Sequence, residues 1–460
     1  MTNYARFFLY GFIILIFIAA FVIFNSMVAG IKLEIAFVSV FLTIVLLVSG
    51  IVMEYLAVLI FFLLITLFKV APPSVTFSGF FSQGFWLIFS GAIIGAAIKQ
   101  SGLGIKFSAL LMRFCQGPYV AIVSGMVLFG IFMAFIMPSA MGRVMLMMPI
   151  LLEFTEKSGF KEGTKARTGV ILAGVLGTYI AGFTILPSNL PNIILMGAMG
   201  TVYHLTPSYL QYFILHFPVL GLVKLVLLIA VITKLFGQNS TPEMIASQKP
   251  VSTDSTLLAK EKRLIFYLAA LIFIWVTDYI PPAWAALIVA IICLLPIIGL
   301  LNHRTFMKQY HLAPLIYVAG IIGLSAVVNY TGLGNILANK LFAVTSLVPG
   351  NTAKNFMTLS LVSTGIGLVT TLPGVPAIMS PLATHIAKMS HLSLTTVLMT
   401  QVIGFSTLIF PYQAPPIIVA MRLSNIPVKQ ATLVCLIMAA LTILLLFPTD
   451  FLWWKMLGWL

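Results

Sequence analysis

The sequence predicts an all-α polytopic membrane protein: about eleven transmembrane helices plus two re-entrant hairpins, arranged as two inverted repeats. Three observations carry this. Of 460 residues, 61% are hydrophobic and only 8% are charged, whereas a soluble domain carries roughly a quarter charged residues. Apolar runs long enough to cross a bilayer recur along nearly the whole chain. They are continuous rather than alternating, which excludes a β-barrel along with soluble enzymes, secreted disulfide scaffolds and disordered chains. Finally, polar and proline-rich interruptions fall inside the apolar stretches in the same order in both halves.

Taken in order, Met1–Arg6 runs into an apolar span at 7–29 with no small-residue cleavage site, so residues 1–30 read as a first transmembrane helix with a cytoplasmic N-terminus. The first repeat, 31–236, holds spans near 33–49, 51–69 and 85–101. The stretch 119–153 is interrupted at Met137-Pro138-Ser139-Ala140-Met141-Gly142-Arg143, leaving arms too short to cross comfortably, and reads as a hairpin. The stretch 168–203 is a helix broken at Leu186-Pro187-Ser188-Asn189-Leu190-Pro191-Asn192, followed by a span at 208–233. Residues 237–263, rich in Ser, Thr, Gln and Lys, form a cytoplasmic linker. The second repeat, 264–460, has spans near 264–280, 284–301 and 312–329, a hairpin at 355–388, a broken helix at 394–425 and a final span at 428–447.

The halves echo one another. Leu186-Pro187-Ser188-Asn189-Leu190-Pro191-Asn192 aligns with Phe410-Pro411-Tyr412-Gln413-Ala414-Pro415-Pro416, and Ser101-Gly102-Leu103-Gly104 with Thr331-Gly332-Leu333-Gly334. Pro149 and Pro381 stand at matching places in the two hairpins. The 25 Lys and Arg against 10 Asp and Glu give a net charge of +15. In a membrane chain this reads as topology and not as nucleic-acid binding. With the N-terminus inside, only Lys32, Lys69, Lys340, Lys354, Lys388 and Lys455 fall outside, Arg143 and Lys224 lie within apolar stretches, and the rest are cytoplasmic. That imbalance opens the first hairpin inward and the second outward, so the repeats read as inverted, in a plasma membrane (cell inner membrane). Cys115, Cys293 and Cys435 have neither disulfide nor metal spacing.

Order, hairpins and motifs together resemble the divalent anion:sodium symporter family, the sodium/sulfate and dicarboxylate symporters of the ion transporter superfamily. The resemblance runs from Phe85-Trp86-Leu87-Ile88 through Ser101-Gly102-Leu103-Gly104 to Pro415-Pro416. It implies a homodimer that carries a small anion, a dicarboxylate or sulfate-like species, by an elevator-type mechanism. It also implies sodium binding near each hairpin tip, for which Ser139, Thr184 and Thr371 supply hydroxyls here. The family's tip motif is Ser-Asn-Thr. This chain has Ser139-Ala140-Met141 and Thr371-Leu372-Pro373 instead, so the asparagine is missing from both tips.

Broken membrane helices expose N–H groups that suit an anion and carbonyls that suit a cation. Ser139, Arg143, Ser188, Asn189, Thr371 and Gln413 are therefore the candidate substrate-binding residues. The competing reading is that Pro and Asn only kink the helices. Arg143 lies about one turn past Ser139, and a cation at that depth costs several kcal/mol unless it is paired. Two roles fit it: pairing with an anionic substrate, or replacing a bound sodium ion in a sodium-independent exchanger or uniporter. A third reading has it tying off carbonyls at the hairpin tip or snorkelling to the surface. Lys224 reads as a headgroup or helix contact, Asp278 as interfacial and His385 as a satisfied buried histidine. No acidic residue reads as mid-membrane, so a carboxylate proton relay is not expected. There is no Gly-x-x-x-x-Gly-Lys loop, His-Glu-x-x-His site or paired intramembrane aspartate, so neither an enzyme nor a metal or other cofactor is expected beyond a coupling sodium ion. From a different class, an anion channel remains open as an alternative.

Overall fold

In the computed structural model the described residues are 31–49, 51–103, 117–237, 258–296, 300–301, 306, 312–343 and 347–460. The expected first helix, 1–30, and most of the expected linker lie outside them. Among the described residues all regular structure is helical. The first half comprises α1 (Ile31–Ser49), α2 (Glu54–Leu67), α3 (Gln83–Ser101), α4 (Tyr119–Ile136), α5 (Ala140–Lys157), α6 (Lys165–Thr184), α7 (Leu190–Tyr203) and α8 (Tyr209–Phe236). The second half comprises α9 (Ala259–Thr277), α10 (Pro282–Leu294), α11 (Ala313–Tyr330), α12 (Leu333–Ala343), α13 (Thr352–Val369), α14 (Gly374–Ser390), α15 (Leu394–Phe405), α16 (Pro415–Ser424) and α17 (Val428–Met456).

Six of the described helices are long and apolar enough to cross a membrane alone, and a seventh crossing is available if the pair α13 and α14, bent by 119°, counts as one span. The remaining apolar helices are shorter, and three of them, α7, α15 and α16, are short because they flank the breaks at 185–189 and 406–414. The arms of the first hairpin are longer than the sequence predicts: α4 and α5 are each 18 residues. Proline is tolerated inside α5 at Pro149. The last helix also overruns its expected end at 447, continuing to Met456 through a π-helical stretch at Thr442–Leu446. A matching π stretch at Phe217–Val223 lies in α8; a Phe-Pro pair opens that stretch and another directly follows the one in α17, where the lost proline N–H loosens the helical ladder.

The two halves pack across each other. α3 lies against α10, and α11 against α2; α7 meets α14, and α16 meets α5. Within each half a hairpin arm packs on the helix that breaks, α4 on α6 and α13 on α15. Where lipid removes any hydrophobic drive between helices, close backbone approach carries the packing. A Cβ on Gly130 would lie 2.5 Å from the backbone nitrogen of Thr178, and one on Gly404 would lie 2.2 Å from the Cβ of Ser363. The echoed Ser/Thr-Gly-Leu-Gly motifs end α3 and α11, and Gly102 and Gly332 take φ of +78° and +72° there, a left-handed cap that glycine adopts without strain.

Candidate functional site

The first hairpin turns at Met137-Pro138-Ser139. Ser139 caps α5, its Oγ accepting from the Gly142 N–H at 3.1 Å, an arrangement that satisfies one of the orphan donors of a new helix. One turn further on, Arg143 is fully buried. Opposite it, α6 ends at Thr184, the chain makes one tight turn at Leu186–Ser188, and Asn189 leads into α7, where Pro191 fills a position that needs no N–H.

The guanidinium of Arg143 joins these two interruptions. Nη1 donates to the carbonyls of Met137 (2.7 Å) and Ser188 (2.8 Å), and Nη2 donates to the Thr178 carbonyl (3.4 Å) and Asn189 Oδ1 (3.3 Å). Nε has no hydrogen-bond partner. Every oxygen on the cation is neutral, and no carboxylate within 4.0 Å pairs with it among the described residues. Asn192, which the sequence reading passed over, donates to the carbonyls of Gly182 (2.9 Å) and Ile185 (3.0 Å) and so satisfies the end of α6. Its place at the close of the Ser188–Asn192 motif was the available signal.

In the second half Gln413 plays the equivalent part with a neutral side chain. Its Oε1 accepts from the N–H groups of Ile409 and Phe410, each at 2.8 Å, and its Nε2 donates to the Gly367 carbonyl of α13 at 2.7 Å. Lys224 of α8 is buried as well, and its Nζ donates to the Ser406 carbonyl at 2.7 Å, where α15 gives way to the break. It therefore contacts a partner helix rather than headgroups. A buried cation thus sits at each break. Asp450, against expectation, is also fully buried, and it interacts electrostatically with Lys224. Asp278 is exposed, as an interfacial carboxylate would be. His385 is not buried; its Nε2 hydrogen-bonds Asn339 Oδ1.

Between the breaks and hairpin tips lies a cavity of about 610 Å³. Ser139, Asn189 and Thr371, from both halves, stand in its wall with Pro373, Pro415 and Pro416. The facing wall includes Glu54, Leu87, Ala313 and Tyr317. Arg143, Ser188 and Gln413 lie behind the wall, holding it together. The Thr184 hydroxyl also lies outside the cavity lining, bonded to the Ala181 carbonyl at 2.9 Å and packed near Gly221 of α8. The cavity resembles a carrier site in scale, since small-molecule pockets span roughly 300–1,000 Å³.

Residues 8–460 match the pattern of the sodium:sulfate symporter transmembrane region. The chain belongs to the sodium:sulfate symporter family. Over 300 residues it is 23% identical to an L-tartrate/succinate antiporter of Escherichia coli, a match covering 60% of this chain and 59% of that relative's length. Over 397 residues it is 21% identical to a membrane protein of Cupriavidus necator, covering 83% and 76% of the two chains. The crystal structure of the YdaH transporter of Alcanivorax borkumensis shares the fold, with a TM-score of 0.54 at 14% identity over 84% of this chain and 88% of that one. Its family and its apolar helices together make the chain a multi-pass membrane protein of the sodium:sulfate symporter family.

Proposed function

We propose that the protein is a secondary active transporter of a small anion with a carboxylate or sulfate-like head, working by an elevator-type alternation and without sodium at the first hairpin tip. The observation that carries this is the position of Arg143. A coupling sodium ion at a hairpin tip would be held by neutral carbonyl and side-chain oxygens of the tip and the facing break. Here those oxygens, from Met137, Ser188 and Asn189, are occupied by a guanidinium. Arginine keeps its charge even in apolar surroundings. Two unit charges about 4 Å apart in partly solvated protein repel by several kcal/mol, so a sodium ion beside it is excluded. At the second break the buried Lys224 binds the Ser406 carbonyl, but unlike Arg143 it has a carboxylate, Asp450, for company. Exchange is the mode that fits, and the antiporter named among the relatives is in keeping with it.

The elevator reading is supported by the cavity's position, with hairpins and broken helices on one side and α2, α3 and α11 on the other. In this reading the protein works as a homodimer in the inner membrane with a cytoplasmic N-terminus. The test is counterflow of a labelled anion in proteoliposomes, in sodium and in potassium medium, for wild type and Arg143→Ala. Saturable counterflow indifferent to sodium is expected for the wild type, and saturation also separates a carrier from a channel. Steep, multi-ion sodium dependence in the wild type, unaltered by Arg143→Ala, would overturn the proposal.

A further inference from the structure

Away from the large cavity, a second group of ionisable side chains is closed inside the packing of α8, α13 and α17. Lys224 stands near the middle of the 28-residue α8, and Asp450 lies about one turn past the π stretch of α17; both are buried. His216, fully buried, comes directly before the π stretch of α8. Such stretches are frequent at functional sites. The Asp450 carboxylate closes neither a hydrogen bond nor an ion pair within 4.0 Å among the described residues, although it interacts with Lys224 and with Trp454, one turn on. Trp454 Nε1 and both ring nitrogens of His216 are likewise without hydrogen-bond partners, and the two rings lie 5.6 Å apart.

A structural ion pair closes its hydrogen bonds, because an unpaired buried charge is strongly disfavoured. This cluster leaves them open. The ionisable groups facing Asp450 are Lys224 and His216 of α8, with Tyr212 behind His216 at a ring separation of 4.6 Å and its hydroxyl donating to the Phe183 carbonyl. α13 contributes no buried ionisable group, and Lys234, Lys354, Lys429 and Lys455 of these helices are exposed. Lys224 ties the cluster to the second break, where its Nζ donates to the Ser406 carbonyl at 2.7 Å. A small cavity of about 20 Å³, lined by Lys224, Ser406, Cys435 and Tyr179 among others, has room for about one water molecule. Tyr179 also lines the large cavity, so the two share a wall.

From this arrangement, which rests on the transport reading above, we propose that Asp450 is a proton-binding site and that the anion crosses the membrane together with a proton held there. Ionisable groups inside a membrane commonly serve as proton relays. The Asp450 carboxylate takes the proton from water entering by way of the cavities and returns it on the far side as the anion leaves. Each half of an exchange thus moves an anion and a proton together. With Asp450 ionised, Lys224 is drawn toward the carboxylate and away from the Ser406 carbonyl that follows α15. With Asp450 protonated, the ammonium stays on Ser406, the pair gains a positive charge, and the field at the anion site strengthens through low-dielectric surroundings. Anion and proton therefore favour each other's binding, by the same factor in each direction.

The test is counterflow of labelled sulfate and of labelled succinate by the full-length protein in proteoliposomes, over a range of pH above about 7, where both anions are fully ionised and only the protein titrates. In the wild type the half-saturation for the transported anion is expected to rise with pH, approaching about tenfold per pH unit, the limit for a single linked proton. Asp450→Asn, which keeps the shape of the protonated side chain, is expected to hold the half-saturation at the wild type's lowest value and flat with pH. Adding the same anion to the wild type in weakly buffered detergent solution is expected to draw about one proton per chain from the solution. Uptake of none across this range would overturn the inference, whether or not Asp450→Asn folds. A flat wild-type profile would leave anion transport standing and overturn the proton site. A slope kept in Asp450→Asn, or lost in Glu54→Gln, the carboxylate of the large cavity's wall, would put the proton elsewhere and overturn it as well. Failure to exchange either anion at any pH would overturn the transport reading and this inference with it.

Discussion

Arg143 shows how a residue can be conspicuous in sequence while its work stays hidden. A lone arginine in an apolar stretch marks a function or a structural debt, because its desolvation must be offset. The chain displays the charge but not the oxygens that receive it, since Ser188 and Asn189 lie 45 and 46 residues away and meet the guanidinium only through packing of α5 on α6. Removing the side chain leaves the Met137 and Ser188 carbonyls without their donor in a site closed to water. Arg143→Ala is therefore expected to lower stability by about 2–5 kcal/mol, the cost of several stranded acceptors. Arg143→Lys keeps the charge but gives up the planar fork that reaches two elements at once, so its loss falls between. Thermal unfolding in detergent measures both, and an unchanged midpoint for Arg143→Ala would show that the carbonyls are satisfied in some other way.

Among the elements, the breaks and hairpin tips were legible because the bilayer leaves few readings for Pro, Ser and Asn inside an apolar run: the freed backbone groups must be satisfied internally. The Met137–Arg143 and Leu186–Asn192 interruptions accordingly fall where helices end in the structure. Less legible were helix lengths and extra elements. α12 (Leu333–Ala343) follows a left-handed glycine and has no long apolar run to announce it. The overrun of α17 depends on a π turn that absorbs Pro448, a tertiary accommodation no local propensity records. The contact between α13 and α15 offers a sharp test of the packing. Gly404→Ala places a methyl 2.2 Å from the Ser363 Cβ and 2.8 Å from its backbone carbon, so overpacking is expected to cost about 1–3 kcal/mol. Gly365→Ala, on α13 with nothing within 4 Å of the added atom, is the control and is expected to be neutral or slightly stabilising, since alanine is the better helix former. Equal unfolding midpoints for the two variants would contradict the close approach.

For the whole molecule, the proposal turns on an opposed orientation of the two halves, which would let one site face either side of the membrane by exchanging two similar shapes. The element order repeats, the second-half helix α16 packs on α5 while α7 packs on α14, and the cavity draws its walls from both sets. Each hairpin therefore braces the break of the opposite half, as expected where two related units share one site. The proposed direction rests on the basic residues: Lys157, Lys161, Lys165 and Arg167 cluster beyond the first hairpin, whereas the second is flanked only by Lys340, Lys354 and Lys388, and lysine and arginine favour the cytoplasmic side. The prediction is that cysteines placed at Lys157, which ends α5, and at Lys340, in α12, react with a membrane-impermeant maleimide from opposite sides. Cys293 and Cys435 are buried, so a Cys115→Ser background leaves the introduced thiols as the reactive ones. Lys157→Cys should label in inverted vesicles and Lys340→Cys in intact cells. Labelling of both from one side would make the halves parallel, and with parallel halves an exchange of shapes no longer carries the site from one face of the membrane to the other.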